Sequence, residues 1–182
     1  MPTNASDLWA EATIMEVQKR YCRGVDRRDF AMVRDCFHAD AELDYGDYKG
    51  DVDGFVRMAE AGLAIYGATT HFIGNQLVEL DGDTAWAEHY VVAYHRCPAA
   101  GAVPDHDFVC NFRYVDRMEW RPCRSGSGDA EEGEWRIAAR VLLVDSWRRV
   151  PLPDLGPGPT MKPGRRDRDD LSWSDTFRRR KA

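Results

Sequence analysis

Apolar residues recur at helical spacing in the first third of the chain and at strand spacing after it. Ile14, Val17, Tyr21 and Val25 fall on one face of a helix predicted from Asp7 to about Val25. Asp26 breaks that run and opens the polar stretch Asp26-Arg27-Arg28-Asp29. A second, short helix follows, with Asp29 as N-cap, Phe30, Val33 and Phe37 facing inward, and His38-Ala39-Asp40 ending it. Ala41 to Tyr45 reads as a short strand and Tyr48-Lys49-Gly50 as a turn or a second short strand. Val52 to Tyr66 reads as a third helix, with Phe55, Met58, Ala59, Leu63 and Tyr66 as its apolar positions.

From His71 the period becomes two. Strands are predicted over His71–Leu80, Thr84–Cys97, Asp107–Trp120 and Glu134–Arg148. Asp81-Gly82-Asp83 is a hairpin turn, Pro98 to Pro104 a loop, and Arg121 to Gly133 a mobile connection. Helices first and long antiparallel strands afterwards make an α+β fold with the helices on one side of the sheet. A pocket would lie between the helices and the concave sheet face. Alternation groups His71, Ile73, Asn75 and Leu77 on one face, as it does His89, Val91, Ala93 and His95. It separates Val109, Asn111 and Arg113 from Phe108, Cys110, Phe112 and Tyr114, and joins Ile137, Val141, Leu143, Asp145 and Trp147.

Composition narrows the function. The chain has 182 residues, 43% of them hydrophobic, which suits one domain with a real core. A net charge of −6 argues against nucleic acid as the main partner. No apolar run is long enough to span a membrane, and the N-terminus lacks a secretory pattern, so a cytoplasmic protein is expected. The charge is uneven: residues 151–182 hold 8 basic and 5 acidic residues, against 17 and 26 before them. That last stretch, with five of the nine prolines, reads as an extended or disordered tail, which Trp173 and Phe177 could dock on a neighbouring surface. The five cysteines (Cys22, Cys36, Cys97, Cys110 and Cys123) contain no C-x-x-C, so neither a disulfide framework nor a cysteine zinc site is indicated.

Histidines carry the candidate chemistry, because imidazole exchanges a proton near neutral pH. His71, His89 and His95 lie inside strands, while His38 and His106 read as loop residues. A strand imidazole needs a partner to fix its tautomer, and Asp26 is a candidate to reach across to one. The bland readings stand beside this one. His71 also suits a backbone carbonyl, Asp26 a helix end, and Tyr21, Tyr45, Tyr90 and Tyr94 core or interface packing. His89 and His95 share a face, but six residues of strand separate them too widely to supply one metal directly. No G-x-S-x-G, Walker or G-x-G-x-x-G motif occurs.

An ordered set of segments then becomes recognisable. Tyr21-Cys-Arg-Gly-Val-Asp26-Arg-Arg-Asp29-Phe30 is followed by Cys36-Phe-His-Ala-Asp40-Ala-Glu-Leu-Asp44-Tyr45-Gly46, Thr70-His71-Phe-Ile-Gly74-Asn75 and Leu80-Asp-Gly-Asp-Thr-Ala85. Arg113-Tyr114-Val115-Asp116-Arg117 and Trp135-Arg136-Ile137-Ala138 complete it. Over residues 8 to 150 the chain resembles the SnoaL-like family of the nuclear-transport-factor-two-like superfamily. The resemblance implies a cone-shaped α+β barrel: a curved antiparallel sheet closed by three N-terminal helices around an apolar pocket, with residues 151–182 left as the tail. It is most similar to scytalone dehydratase, hexachlorocyclohexane dehydrochlorinase and bile-acid dehydratase, which are lyases without cofactors that use an Asp–His pair.

Carried over by position, the pair is Asp26 and His71. A second histidine matches His95, a pocket asparagine Asn111, and two tyrosines Tyr45 and Tyr21. Two positions depart from the relatives. Val109 stands where scytalone dehydratase has serine, and Tyr21 where the dehydrochlorinase has lysine. The function implied is elimination from a small hydrophobic cyclic or polyketide-like substrate, with His71 as general base, Asp26 as its orienting partner, and no metal or cofactor. Tyr21, Tyr45 or His95 would hold the carbonyl or hydroxyl, and Ile73, Val91, Val109, Asn111, Val141 and Leu143 would line the substrate pocket. A cyclase or isomerase using the same pair, and a non-catalytic binder or oxygenase β-type subunit, remain alternatives. A homo-oligomer, dimer or trimer, is expected.

Overall fold

The computed structural model describes residues 4–122, 133–152 and 160–174. Helix α1 spans Ala5–Arg27, α2 Phe30–Asp35 and α3 Val52–Leu63. Strands are β1 (Phe37–Asp44), β2 (Lys49–Gly50), β3 (Ala68–Asp81), β4 (Thr84–Cys97), β5 (His106–Pro122) and β6 (Gly133–Pro151). The expected connection after Arg121 and the cysteine Cys123 lie largely or wholly outside the described residues, as does Phe177 in the tail.

Capping explains the helix limits. Asn4 accepts the Asp7 N–H and starts α1, and Arg28, at φ 53, ends it in the left-handed region. The next turn is fixed by Asp29, whose carboxylate accepts the Met32 N–H at 3.1 Å. Helix α2 stops two residues earlier than the periodicity suggests. Phe37 pairs with Ile137 in β6, and the Ile137 N–H binds the Cys36 carbonyl, so the sheet captures Phe37 to Asp40. Phe37 remains fully buried, on a strand rather than a helix.

The six strands form one curved sheet in the order β2-β1-β6-β5-β4-β3. It is mixed, not purely antiparallel, because β1 runs parallel to β6. It is also unclosed, unlike the expected barrel: β2 and β3 are its two edges. Helix α1 packs along β3, and Asp26 accepts the His71 backbone N–H at 2.9 Å. An edge amide is thereby satisfied by a side chain instead of another strand.

The concave face is the core. Ile14, Val17, Tyr21 and Val25 of α1 meet Ala85, Ala87, Val91 and Ala93 of β4 and Phe112, Tyr114 and Met118 of β5. Bulges bend the sheet and reset which residues face inward. In β3 the register jumps between Ile73 and Gln76, so Gln76 pairs with His89 and turns inward while Leu77 is half exposed. The grouping of Asn75 and Leu77 with His71 therefore fails. In β6, register shifts opposite Met118 and Phe112 separate Ile137 and Trp147 from Val141, Leu143 and Asp145.

Candidate functional site

Asp26 sits in the last turn of α1, one residue past the buried Val25, at the edge of the helix's inward face. That position aims its carboxylate at the start of β3. His71 Nδ1 lies 2.8 Å from Asp26 Oδ1, and the two side chains are only 6% and 13% exposed. Burial works to raise the Asp26 pKa, but the hydrogen bond and charge interaction with His71 outweigh it, and the carboxyl is held below the usual carboxylate range. Asp26 is thus an acceptor at neutral pH, so Nδ1 carries the proton and donates. Nε2 has no hydrogen-bond partner among the described residues.

His95 stands beside the pair, its ring centroid 5.5 Å from that of His71. Tyr66 and Phe108 hold it from the other side at 4.7 and 5.9 Å, and Phe112 closes on His71 at 6.3 Å. Burial first, and the neighbouring His71 second, push the His95 pKa down to about 4. It is neutral at pH 7 and can offer a hydrogen bond but not an imidazolium proton. Ile73 and Val91 pair across β3 and β4 on this same face.

The remaining expected site residues divide in two. Tyr21 and Tyr45 join each other, hydroxyl to hydroxyl at 2.8 Å, but neither has a hydrogen bond to Asp26 or His71. Tyr21 lies five residues before Asp26, roughly 7.5 Å back along the helix axis. The residues expected at Val109, Asn111, Val141 and Leu143 are on the wrong face. Phe108, Cys110 and Phe112 pair with the inward residues His95, Ala93 and Val91, so Val109 and Asn111 point outward, and Asn111 donates to Ser146 Oγ at 2.9 Å. Val141 and Leu143 are each 40% exposed on the outer face, because the bulge after Ile137 inverts the alternation.

A deeper polar centre accompanies the tyrosines. Arg140, fully buried, donates from Nε and Nη2 to the two oxygens of Asp116 at 2.6 and 2.7 Å. Its guanidinium lies over the rings of Tyr114 and Tyr21 at 4.1 and 4.3 Å. Burial opposes its charge, yet Asp116 and the surrounding phenols hold its pKa well above the ordinary value. Tyr21, Tyr45 and Tyr114 are pushed well above the usual phenol range, chiefly by burial, so all three remain protonated donors. His89 completes the cluster, its Nδ1 3.8 Å from Asp116, with both ring nitrogens buried and without a hydrogen-bond partner. Sequence reasoning missed this centre, although Asp116 continues the inward alternation of Phe112 and Tyr114 and so marks a charge at an apolar position.

The tail contributes as well. Arg166, half buried, donates to the carbonyls of Tyr66 at 2.7 Å, Leu63 at 3.0 Å and Asp26 at 3.3 Å, tying the C-terminal ends of α1 and α3 together. Arg168 pairs with Asp29 at 2.7 Å, and Trp173 lies under the guanidinium groups of Arg23 and Arg168. Arg166→Ala should destabilise the chain by about 1–3 kcal/mol, measured by urea denaturation, because three carbonyls lose a charged donor. Arg166→Lys, a point charge without the fork, should recover only part of that.

Two buried imidazoles give the chain an acid weakness. His95 titrates at about 4 and His89 at about 2 in the folded chain, burial being the first cause of both, whereas unfolded histidine titrates near 6.5. The unfolded chain therefore binds more protons below pH 6.5. Stability is fully present above that pH and falls as pH drops toward 4, by about 3 kcal/mol from His95 alone. Denaturation midpoints measured at pH 7 and pH 4.5 should show the fall, and His95→Phe should reduce it.

Burial raises the Cys22 thiol to about 12 and the Cys36 thiol to about 11, so neither is a ready nucleophile at neutral pH. Among the described residues no group of three or more His, Cys, Asp or Glu is placed to hold a metal ion.

Comparison with known proteins agrees with the architecture. The fold is similar to a protein from Kribbella flavida, with 21% identity, coverage of 78% of this chain and 94% of that one, and a TM-score of 0.64. It is similar to a candidate scytalone dehydratase from Novosphingobium aromaticivorans at 17% identity, covering 86% and 98%, with a TM-score of 0.65. A type 3 hexachlorocyclohexane dehydrochlorinase from Novosphingobium barchaimii follows at 15% identity, 82% and 96% coverage and a TM-score of 0.68. No curated protein matches the chain in sequence. The model of the SnoaL-like domain matches residues 6–141, three-quarters of the length, and the chain belongs to the SnoaL-like family.

Proposed function

We propose that this chain is a lyase that eliminates a leaving group from a small hydrophobic ring substrate, using His71 as general base and needing no cofactor for that step. One observation carries the reading: a nearly buried imidazole bound through Nδ1 to a carboxylate at 2.8 Å, with Nε2 left for substrate. The dehydratase and dehydrochlorinase folds similar to this one support the reaction class.

In this scheme Nε2 of His71 takes a proton from a carbon made acidic by an adjacent carbonyl. The C–H electron pair becomes the new double bond as the leaving group departs from the next carbon with its own bonding pair. Asp26 holds the tautomer and stabilises the imidazolium that forms. When the leaving group is hydroxide, the imidazolium returns its proton, water is released, and His71 is neutral again. His95, neutral and adjacent, hydrogen-bonds the carbonyl or hydroxyl. Ile73, Val91 and Phe112 provide the apolar wall. Tyr21 and Tyr45, with Arg140 beneath them, form a protonated donor set deeper in the core for an oxygen at the far end of the substrate.

The test uses β-hydroxy ketones on six-membered rings in deuterated buffer, with products read by mass spectrometry. Loss of water, accelerated by the protein and absent with His71→Ala, is the expected result. Deuterium uptake at the acidic carbon without loss of water would instead favour an isomerase or cyclase. Neither change across the panel would count against acid–base catalysis.

A further inference from the structure

A second recess lies apart from Asp26 and His71, and nothing in the scheme above uses it. It has a volume of about 470 Å³, within the range of small-molecule sites, and lies between the end of α3, the loop after β4, and the start of β5. Ile65, Tyr66, Val103 and Phe108 supply apolar walls, and Cys97 adds a protonated thiol whose pKa burial raises. Two of those walls, Tyr66 and Phe108, are the rings that pack on His95. His95 and His71 do not themselves line the recess, so these two rings separate it from the catalytic candidate.

One charge faces this apolar space. Arg149 lines the recess and pairs across the sheet with Phe108, which fixes it on the concave side. It has no ion pair or hydrogen bond among the described residues. The nearby carboxylates are already engaged: Arg96 lies 3.0 Å from Asp105 and 3.5 Å from Asp107. The other polar group in the wall, His106, has Nδ1 turned to the Pro104 carbonyl at 2.9 Å. A guanidinium beside low-dielectric walls favours a planar anion it can bind with two parallel N–H donors.

We infer that this recess is the anchoring subsite for a carboxylate on a hydrophobic ring ligand, with Arg149 as its counter-ion. This assignment stands apart from the proposed lyase reaction and does not depend on it. A ring seated against Tyr66 and Phe108 has its carboxylate on Arg149. Aromatic acids, or alicyclic acids of similar size, fit this description better than neutral hydrocarbons.

The probes are 2-naphthoate and its neutral counterpart 2-naphthamide, titrated by calorimetry at pH 7.5 in low salt. The wild-type chain should bind the carboxylate at least about tenfold more tightly than the amide. Arg149→Gln, at an exposed strand end where folding is preserved, should bring the two affinities together. His71→Ala should keep the preference, so loss of catalysis and loss of anchoring are separable. Equal affinities in the wild type, a preference that survives Arg149→Gln, or no binding of either probe at millimolar concentration would each overturn the assignment.

Discussion

His71→Ala should lower turnover by roughly 10²–10⁴-fold, the range for removing a positioned general base. Asp26→Asn should cost nearly as much while leaving the fold in place. An asparagine keeps the shape but offers no negative charge to stabilise the imidazolium, and its amide can present N–H to Nδ1 and reverse the tautomer. The double variant should be no slower than the worse single one, because the two residues act as one unit. Substrate affinity should change little in either variant, since neither carboxylate nor imidazole supplies the apolar contact of Ile73, Val91 and Phe112. Steady-state kinetics would separate the two effects: a fall in kcat with KM held is the expected outcome, and a rise in KM alone would assign the pair to binding.

The largest expected change in stability lies elsewhere. Asp116→Ala should destabilise the chain by about 3–5 kcal/mol, because it leaves the fully buried Arg140 charge without a counter-ion. For a domain whose total stability is on the order of 5–15 kcal/mol, that places the variant near the edge of folding. Removing both charges, as Asp116→Leu with Arg140→Met, should recover most of the loss, since a well-packed apolar pair avoids the desolvation of two ions. Urea denaturation of the single and double variants measures this directly. The aromatic rings stacked on the guanidinium predict a further feature: Arg140→Lys should not substitute, because an ammonium cannot bind both Asp116 oxygens in the same plane.

Period counting located most of the fold, and its failures on the long strands share one cause. In β4 the alternation runs without interruption, and His89, Val91, Ala93 and His95 face inward as the sequence suggests. In β3 and β6, one extra residue at a bulge inverts every position beyond it, which a count of two cannot detect. That is why Leu77, Val141 and Leu143 lie outside. Val109 and Asn111 are a different case, since their own alternation already set them apart from Phe108 and Phe112. The resemblance carried them inward by position, and the pairing of β5 with β4 does not allow it.

The proximity of Asp26 and His71 spans 45 residues of sequence, so no local pattern contains it. The residues offered Asp26 to a strand histidine without saying which one, and only the family resemblance singled out His71. The Arg140–Asp116 centre had a weaker signal: a charged residue at an inward position of β5, whose partner was hidden by the bulge in β6. Arg166 had none, because a proline-rich, charged stretch gives no indication of where it will pack.

The central claim is that His71 meets substrate as a neutral base with Nδ1 committed to Asp26. Nitrogen-15 NMR of histidine-labelled protein at neutral pH reads that state atom by atom. The account predicts a His71 ring protonated at Nδ1 and unprotonated at Nε2, with the pattern lost or reversed in Asp26→Asn. A His71 protonated at Nε2 alone, or one indifferent to the loss of Asp26, would contradict it.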